Sequence, residues 1–322
     1  MTQRWWLPAL LLCGCSVSGS GARTGGPSDP RLATGPKQVM DIAIDATDVY
    51  WVAYRPETAT SEVRRVPKAG GSSELVASVA GTVYQLALDD AYVYLPVYVQ
   101  SAEGGPFLRV PKSGGALEVI DDHLRYLAFA AVANGVPYTA PLVDEPSIDY
   151  ELWRYPGSPG AHEVVATHLD GPEAMAVNRG SIYVTTAGDS HLQTTPMSGG
   201  ASVQPFSTLM ALHVVSDGDL VYFMAGAIGD CTNAQIKAWR PGEATTLSLG
   251  YVGHCAADAA VSTRGVAVAD DRAHSILQFP LDGSGPETLA HGSAPRVVAA
   301  EPDGSSIYWG DDDTGDINRI DQ

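Results

Sequence analysis

An all-β chain built from repeats is what the sequence predicts, and three observations predict it. A tyrosine recurs at Tyr50, Tyr94, Tyr138, Tyr183, Tyr222 and Tyr308, with Ala267 in the sixth place, so the spacings are 44, 44, 45, 39, 45 and 41. A proline recurs at Pro67, Pro111, Pro156, Pro196, Pro241 and Pro280, with spacings of 44, 45, 40, 45 and 39. Glycine (34) and proline (22) are plentiful while charged residues make up 17%, a balance that suits short strands and turns over long helices. Two markers with one period define an internal repeat, and four short strands in a period of about 42 residues are the signature of a β-propeller. The sequence reading is a seven-bladed β-propeller with four-stranded blades over residues 31–322, with six or eight blades as the alternatives.

The elements follow in order within each unit. The first unit reads "MDIAID", "DVYWVAY", "EVRRVPK" and "SELVAS" as four strands, separated by the turn signals "DATD" and "KAGGS". "VPKSGG" and "TPMSGG" repeat the third-strand ending in units two and four, and paired glycines supply the positive φ that a tight turn requires. Alternation in "EVRRV" suits a strand half covered by a neighbour. The last unit has "RVVAAE", "SIYWGD" and "DINRID" and then stops. Because "RLATG" near the N-terminus resembles "TLAHG" of unit six, Leu32 to Thr34 are expected to supply the missing outer strand and close the ring. Ala43, Ala87, Ala131, Ala176, Val215, Ala260 and Ala299 fall on the innermost strands, where converging blades leave room for small side chains.

The N-terminus has its own logic. Arg4 precedes a short apolar run from Trp5 to Leu12, too short to span a bilayer and suited to a secretion signal. "LCGC" resembles the bacterial lipobox, which implies lipidation of Cys15 after cleavage. An ordinary signal with incidental cysteines is the alternative. Ser16 after Cys15 points by the same resemblance to the outer membrane. Residues 1–15 are thus expected to be a lipoprotein signal and residues 16–30, rich in Ser, Gly and Pro, a flexible tether.

"IYWGDDDTGDINRID" and "IAIDATDVYW…VRRVPKAGGSSELVAS" resemble the repeats of YWTD-type and related secreted bacterial propeller lipoproteins. The resemblance spans residues 30–322 and implies a propeller fold and an envelope address. It says little about activity, since one fold hosts many functions. Eukaryotic YWTD propellers bind protein ligands.

Four groups of residues are candidates for function. The inner-strand positions two before the alanines carry Asp41, Gln85, His213 and Asp258, interrupted by Phe129, Ala174 and Val297. These polar residues would converge at the mouth of the axial channel, either serving a metal-dependent lyase or lactonase-like reaction or satisfying backbone groups of neighbouring strands. Loops joining second to third strands gather Asp144, Glu145, Asp149, Glu151, Asp311, Asp312 and Asp313, whereas Lys68, Lys112, Arg179 and Arg264 lie on the opposite face. An acidic face suits a cationic partner. Cys231 and Cys255 would meet on one face as a disulfide in an oxidising compartment. "GDDDTGD" from Gly310 to Asp316 reads as a hairpin turn, with a weak Ca²⁺ loop as the alternative; no other cofactor is expected.

A formal net charge of −18 argues against nucleic acid and anionic lipid surfaces as partners. "GxSxG", "HExxH" and a phosphate loop are absent from the sequence. The leading expectation is a monomeric, non-catalytic propeller in the outer membrane, periplasm or extracellular space, binding an envelope protein, peptide or glycan. The membrane would be met only through the lipid.

Overall fold

The computed structural model describes residues 30–102, 104–125, 129–144, 149–157, 160–186, 191–206, 211–227, 230–252 and 256–322. It is an all-β propeller: antiparallel sheets follow one another around an axis, each with its first strand innermost. The first sheet runs Val39–Ile44, Asp48–Arg55, Thr60–Pro67 and Glu74–Ala80 in sequence order. Its second strand is buried on both faces. Tyr50 and Val52 join the core shared with the second unit, while Val49, Trp51 and Ala53 join the core shared with the last unit. Strand alternation therefore lets one strand fill two inter-sheet cores.

The expectation of seven separate four-stranded blades is corrected by the sheet topology. The described strands form six sheets, five of which reach four strands or more. Four are four-stranded, one has ten strands and one has three. The ten-stranded sheet fuses the second and third units. In the third unit the second strand ends at Val136–Thr139, the chain resumes as Leu142–Asp144, and Leu142 pairs sideways with Arg125. Pro137 and Pro141 give the physical reason, because a proline cannot donate to the ladder and breaks a strand that would otherwise continue. Bulges at Val119/Asp121 and Asp121/Leu124 turn the neighbouring strand Glu118–Arg125 towards this hairpin. The three-stranded sheet, Pro172–Asn178, Ser181–Thr186 and Leu192–Pro196, keeps only an isolated Thr194–Val203 bridge where a fourth strand would lie.

The N-terminal strand Arg31–Thr34 pairs with Asp316–Asp321 as the outer strand of the last sheet, in register Ala33 to Ile317 and Thr34 to Asp316. Arg319 N–H donates to Pro30 O at 2.7 Å and Gly35 N–H to Gly315 O at 2.8 Å. The recurring tyrosine has a local role. The hydroxyls of Tyr94, Tyr222 and Tyr308 donate to Asp89, Asp217 and Glu301 in the turn just before them, at 2.6, 2.7 and 3.1 Å. Each thereby pins the first hairpin of its unit.

Candidate functional site

Asp41, Gln85, His213 and Asp258 do converge, around an axial cavity of about 380 Å³ whose wall also includes Ala176, Val215, Ala260 and Ala299. Bulges between Val39 and Asp41 and between Ala211 and Val214 turn the Asp41 and His213 positions relative to their strands. Three of the four bridge successive inner strands. Asp41 Oδ2 accepts from Leu86 N–H at 2.5 Å, Gln85 Oε1 from Ala130 N–H at 3.3 Å, and Asp258 Oδ2 from Val298 N–H at 2.9 Å. In each pair the acceptor stands two before its unit's alanine and the donor stands one before the next unit's. The polar ring is thus a stitch between neighbouring strands, and the free oxygens of Asp41 and Asp258 fold back on the N–H of Ile42 and Ala259, each at 2.8 Å.

The channel's electrostatics follow from depth. Burial, then the nearby Asp258, push Asp41 well above the ordinary carboxylate range. Burial outweighs two backbone N–H donors and pushes Asp258 up to about 7. Burial alone pushes His213 down to about 4. These groups line the axial cavity between inner strands, where desolvation is the leading influence on each. At neutral pH His213 is uncharged. Among the described residues, no group of three or more His, Cys, Asp or Glu side chains is placed to hold a metal ion.

The acidic loop residues divide. Asp311 is buried, 3% exposed, and its Oδ2 accepts from Ser293 and Ala294 N–H at 2.6 and 3.0 Å, which ties the hairpin to the loop entering its own sheet. Gly315 closes this hairpin at φ 73°, donating to Asp311 O at 2.9 Å. Asp312 pairs with Arg296 at 3.4 Å, and Asp313 is exposed. Asp149 lies 3.0 Å from His168 Nδ1, and Glu151 accepts from Trp153 Nε1 at 2.7 Å. Glu145 lies outside the described residues, as does the Asp144 side chain. So do Cys15, Cys255 and the Cys231 side chain, so the expected lipidation and disulfide fall there as well.

Two features escaped the sequence reading. Tyr84, 40% exposed, lies 6.3 Å from Tyr98 between ring centroids, with Tyr54 and Arg296 near enough to act on its phenol. This aromatic group stands at the loop ends of its strands, with Tyr84 next in sequence to Gln85 of the channel ring. Tyr84 breaks the repeat pattern and gave no periodic signal. The second feature is a set of ion pairs between units on the opposite face, Lys112 with Asp45 at 2.9 Å and Lys68 with Glu301 at 2.6 Å. Their signal was present in "VPK", whose lysines were placed on the opposite face but not paired with Asp45 and Glu301.

No protein-family model matches the chain, and no curated protein matches it. Solved structures do. The chain is similar to a protein in a nidogen–laminin complex, at 14% identity and TM-score 0.51, covering 66% of this chain and 79% of that one. It is similar to YCF48 bound to a D1 peptide, at 11% identity and TM-score 0.63, covering 91% and 95%. It is also similar to a chain of the mitotic checkpoint complex, at 14% identity and TM-score 0.63, covering 97% and 99%. At such identities the likeness defines the class, an all-β propeller, and not an activity.

Proposed function

We propose that this chain is a non-catalytic binding propeller, held to a bacterial cell envelope by a lipid on Cys15, that takes a protein or peptide ligand on its loop face. The observation that carries the reading is the exposed Tyr84 against the half-buried Tyr98 next to Gln85 of the channel ring, set against channel side chains already engaged in strand-to-strand bonds. Tyrosines offer large, stiff contact area with a polar tip, the composition favoured at binding surfaces. Asp313, Asp149 and Glu151 add negative charge on the same side and suit a cationic ligand. The similar structures support the class of ligand, since they are a nidogen–laminin complex, YCF48 bound to a D1 peptide and the mitotic checkpoint complex. No resident cofactor belongs to this reading. A Cys231–Cys255 disulfide would brace the loop face, and peptide mapping of the unreduced protein would show the two cysteine peptides linked.

The test begins with capture of a partner from envelope extract on the immobilised protein. The recovered partner is then titrated against wild type, against Tyr84→Ala with Tyr98→Ala, and against Asp149→Lys with Glu151→Lys and Asp313→Lys. Both variants are expected to lose about tenfold or more in affinity, and wild-type binding should weaken as salt rises. A partner indifferent to both variants overturns the loop-face reading. Release of wild-type protein from cells without detergent overturns the anchor.

A further inference from the structure

On the face opposite the loops, three junctions between units repeat one design with one difference. Where unit two meets unit one, Lys112 Nζ lies 2.9 Å from Asp45 Oδ2 and 5.5 Å from the centre of the Tyr50 ring. Where unit one meets the last unit, Lys68 Nζ lies 2.6 Å from Glu301 and 5.8 Å from the Tyr308 ring. Both lysines follow the recurring proline. At each junction an arginine from the third strand frames the site. Arg65 donates to Lys112 O at 2.9 Å and pairs with Glu74, and Arg319 donates to Lys68 O at 2.6 Å and pairs with Asp321. Carboxylate, tyrosine and self-neutralised arginine together form a seat for an ammonium group from the next unit.

Unit two carries the same seat. Tyr94 donates to Asp89 Oδ2 at 2.6 Å, and Ala91 and Tyr92 N–H donate to Oδ1 at 2.8 and 2.7 Å. Arg109 pairs with Glu118 at 2.7 Å and stacks 4.3 Å from the Tyr92 ring centre. The residue after the third unit's proline, however, is Gly157. A cavity of about 540 Å³ lined by Asp89, Tyr92, Tyr94, Arg109 and Gly135 lies there, and a smaller one of about 100 Å³ continues from Arg109 and Gly135 to Gly157. A Cβ built on Gly157 meets nothing within 4 Å. Among the described residues no Lys, Arg or His side chain forms an ion pair with Asp89. Burial opposes its ionisation, but the Tyr94 hydroxyl, the two backbone N–H groups and the distant Lys112 outweigh it and hold the carboxyl below its ordinary value. At two other junctions the residue after the proline is apolar, and Met197 and Leu281 join the core clusters of Tyr138 and Tyr222; at the junction of units four and five it is again a glycine, Gly242, but Asn178 stands where the carboxylate would be.

We propose that the Asp89 pocket binds a primary ammonium on an unbranched aliphatic stem, the head of a lysine side chain, in the place that Lys112 and Lys68 occupy at the sister junctions. The pocket is on the face away from Tyr84 and Tyr98, so this inference stands apart from the loop-face reading. The test titrates the protein, observed by isotope-edited NMR or calorimetry, with Nα-acetyl-lysine methylamide and with the norleucine analogue, which keeps the stem and lacks the ammonium. The lysine probe should saturate with a Kd of about 1–10 mM, the scale of one ion pair with a ring contact. Asp89→Asn keeps the turn acceptor and should weaken it about tenfold, as loss of a charge-assisted bond does. Gly157→Lys should fill the seat, raise the melting temperature and abolish probe binding. Asp45→Asn should leave probe binding unchanged. Equal binding of the norleucine analogue, no loss in Asp89→Asn, or no saturable binding of the lysine probe would each overturn the proposal; should Gly157→Lys not fold, the analogue and Asp89→Asn decide it.

Discussion

The junction between the last and first units and the junction between the second and third are built from the same repeat positions, yet one is sealed and the other open. The sealed junction has a strand from the N-terminus, the Lys68–Glu301 ion pair at 13% and 19% side-chain exposure, and the Arg319 bond to Lys68 O. The open one has a glycine where the lysine would be, two fused sheets and the largest cavity described above. The ends of a ring are its weakest point, because no chain connectivity holds them. The difference teaches that one seat can be used in different ways: the closing junction keeps the lysine pair that the continuous junction of units one and two also has, and adds a donated strand, whereas units two and three replace the lysine by glycine and join through the Arg125–Leu142 pairing.

That contrast can be broken from the sealed side first. Deleting residues 31–34 should have the largest effect, since it removes a ladder of backbone bonds worth about 1 kcal/mol each, takes away the buried Ala33 and exposes Ile317. A fall of roughly 10 °C or more in melting temperature by calorimetry is expected. Lys68→Met should come next, at about 1–3 kcal/mol in urea titrations, because Glu301 is left largely buried without its cation. Removal of an exposed pair of the same type, Arg179→Met opposite Asp219, should shift stability by less than about 0.5 kcal/mol, both side chains being more than half exposed.

A fourth prediction concerns the channel and its pH dependence. Asp258 has a folded value raised to about 7, so its contribution favours folding below the ordinary carboxylate range and is lost as pH rises towards 7. Asp41 acts in the same direction. His213 is lowered to about 4, so its contribution is present above its ordinary value and is lost as pH falls towards 4. The two trends oppose each other between about pH 4 and 6.5, and wild type should show a shallow profile there. Asp258→Asn removes one falling limb, so its melting temperature relative to wild type should improve between pH 4.5 and 8 by several degrees. A difference independent of pH would contradict the assigned direction.

Much of the fold was legible because its signals are local. The tyrosine period could be read because Tyr94, Tyr222 and Tyr308 each serve a turn five to seven residues before them, so the signal lies within one unit. Channel residues could be located from their place two before the alanines, but their role depends on bonds across 40 to 45 residues, such as Asp258 to Val298 and Asp41 to Leu86, which no single unit contains. Fusion of units two and three was not legible for the same reason, since the Arg125–Leu142 pairing is tertiary. Counting acids overstated the loop face. Asp311 is a turn acceptor and Asp312 an arginine partner, and a sequence shows charge without showing what neutralises it.

The central claim is that ligand is taken at the loop face while the channel polar groups hold the ring together. Calorimetric titration of a captured partner against two variants tests it most directly: Tyr84→Ala with Tyr98→Ala, and Asp41→Asn with Asp258→Asn. The account predicts that the tyrosine variant loses about tenfold or more in affinity at unchanged melting temperature, while the channel variant binds as wild type does and shifts only in stability. Undiminished binding by the tyrosine variant together with lost binding by a folded channel variant would contradict it.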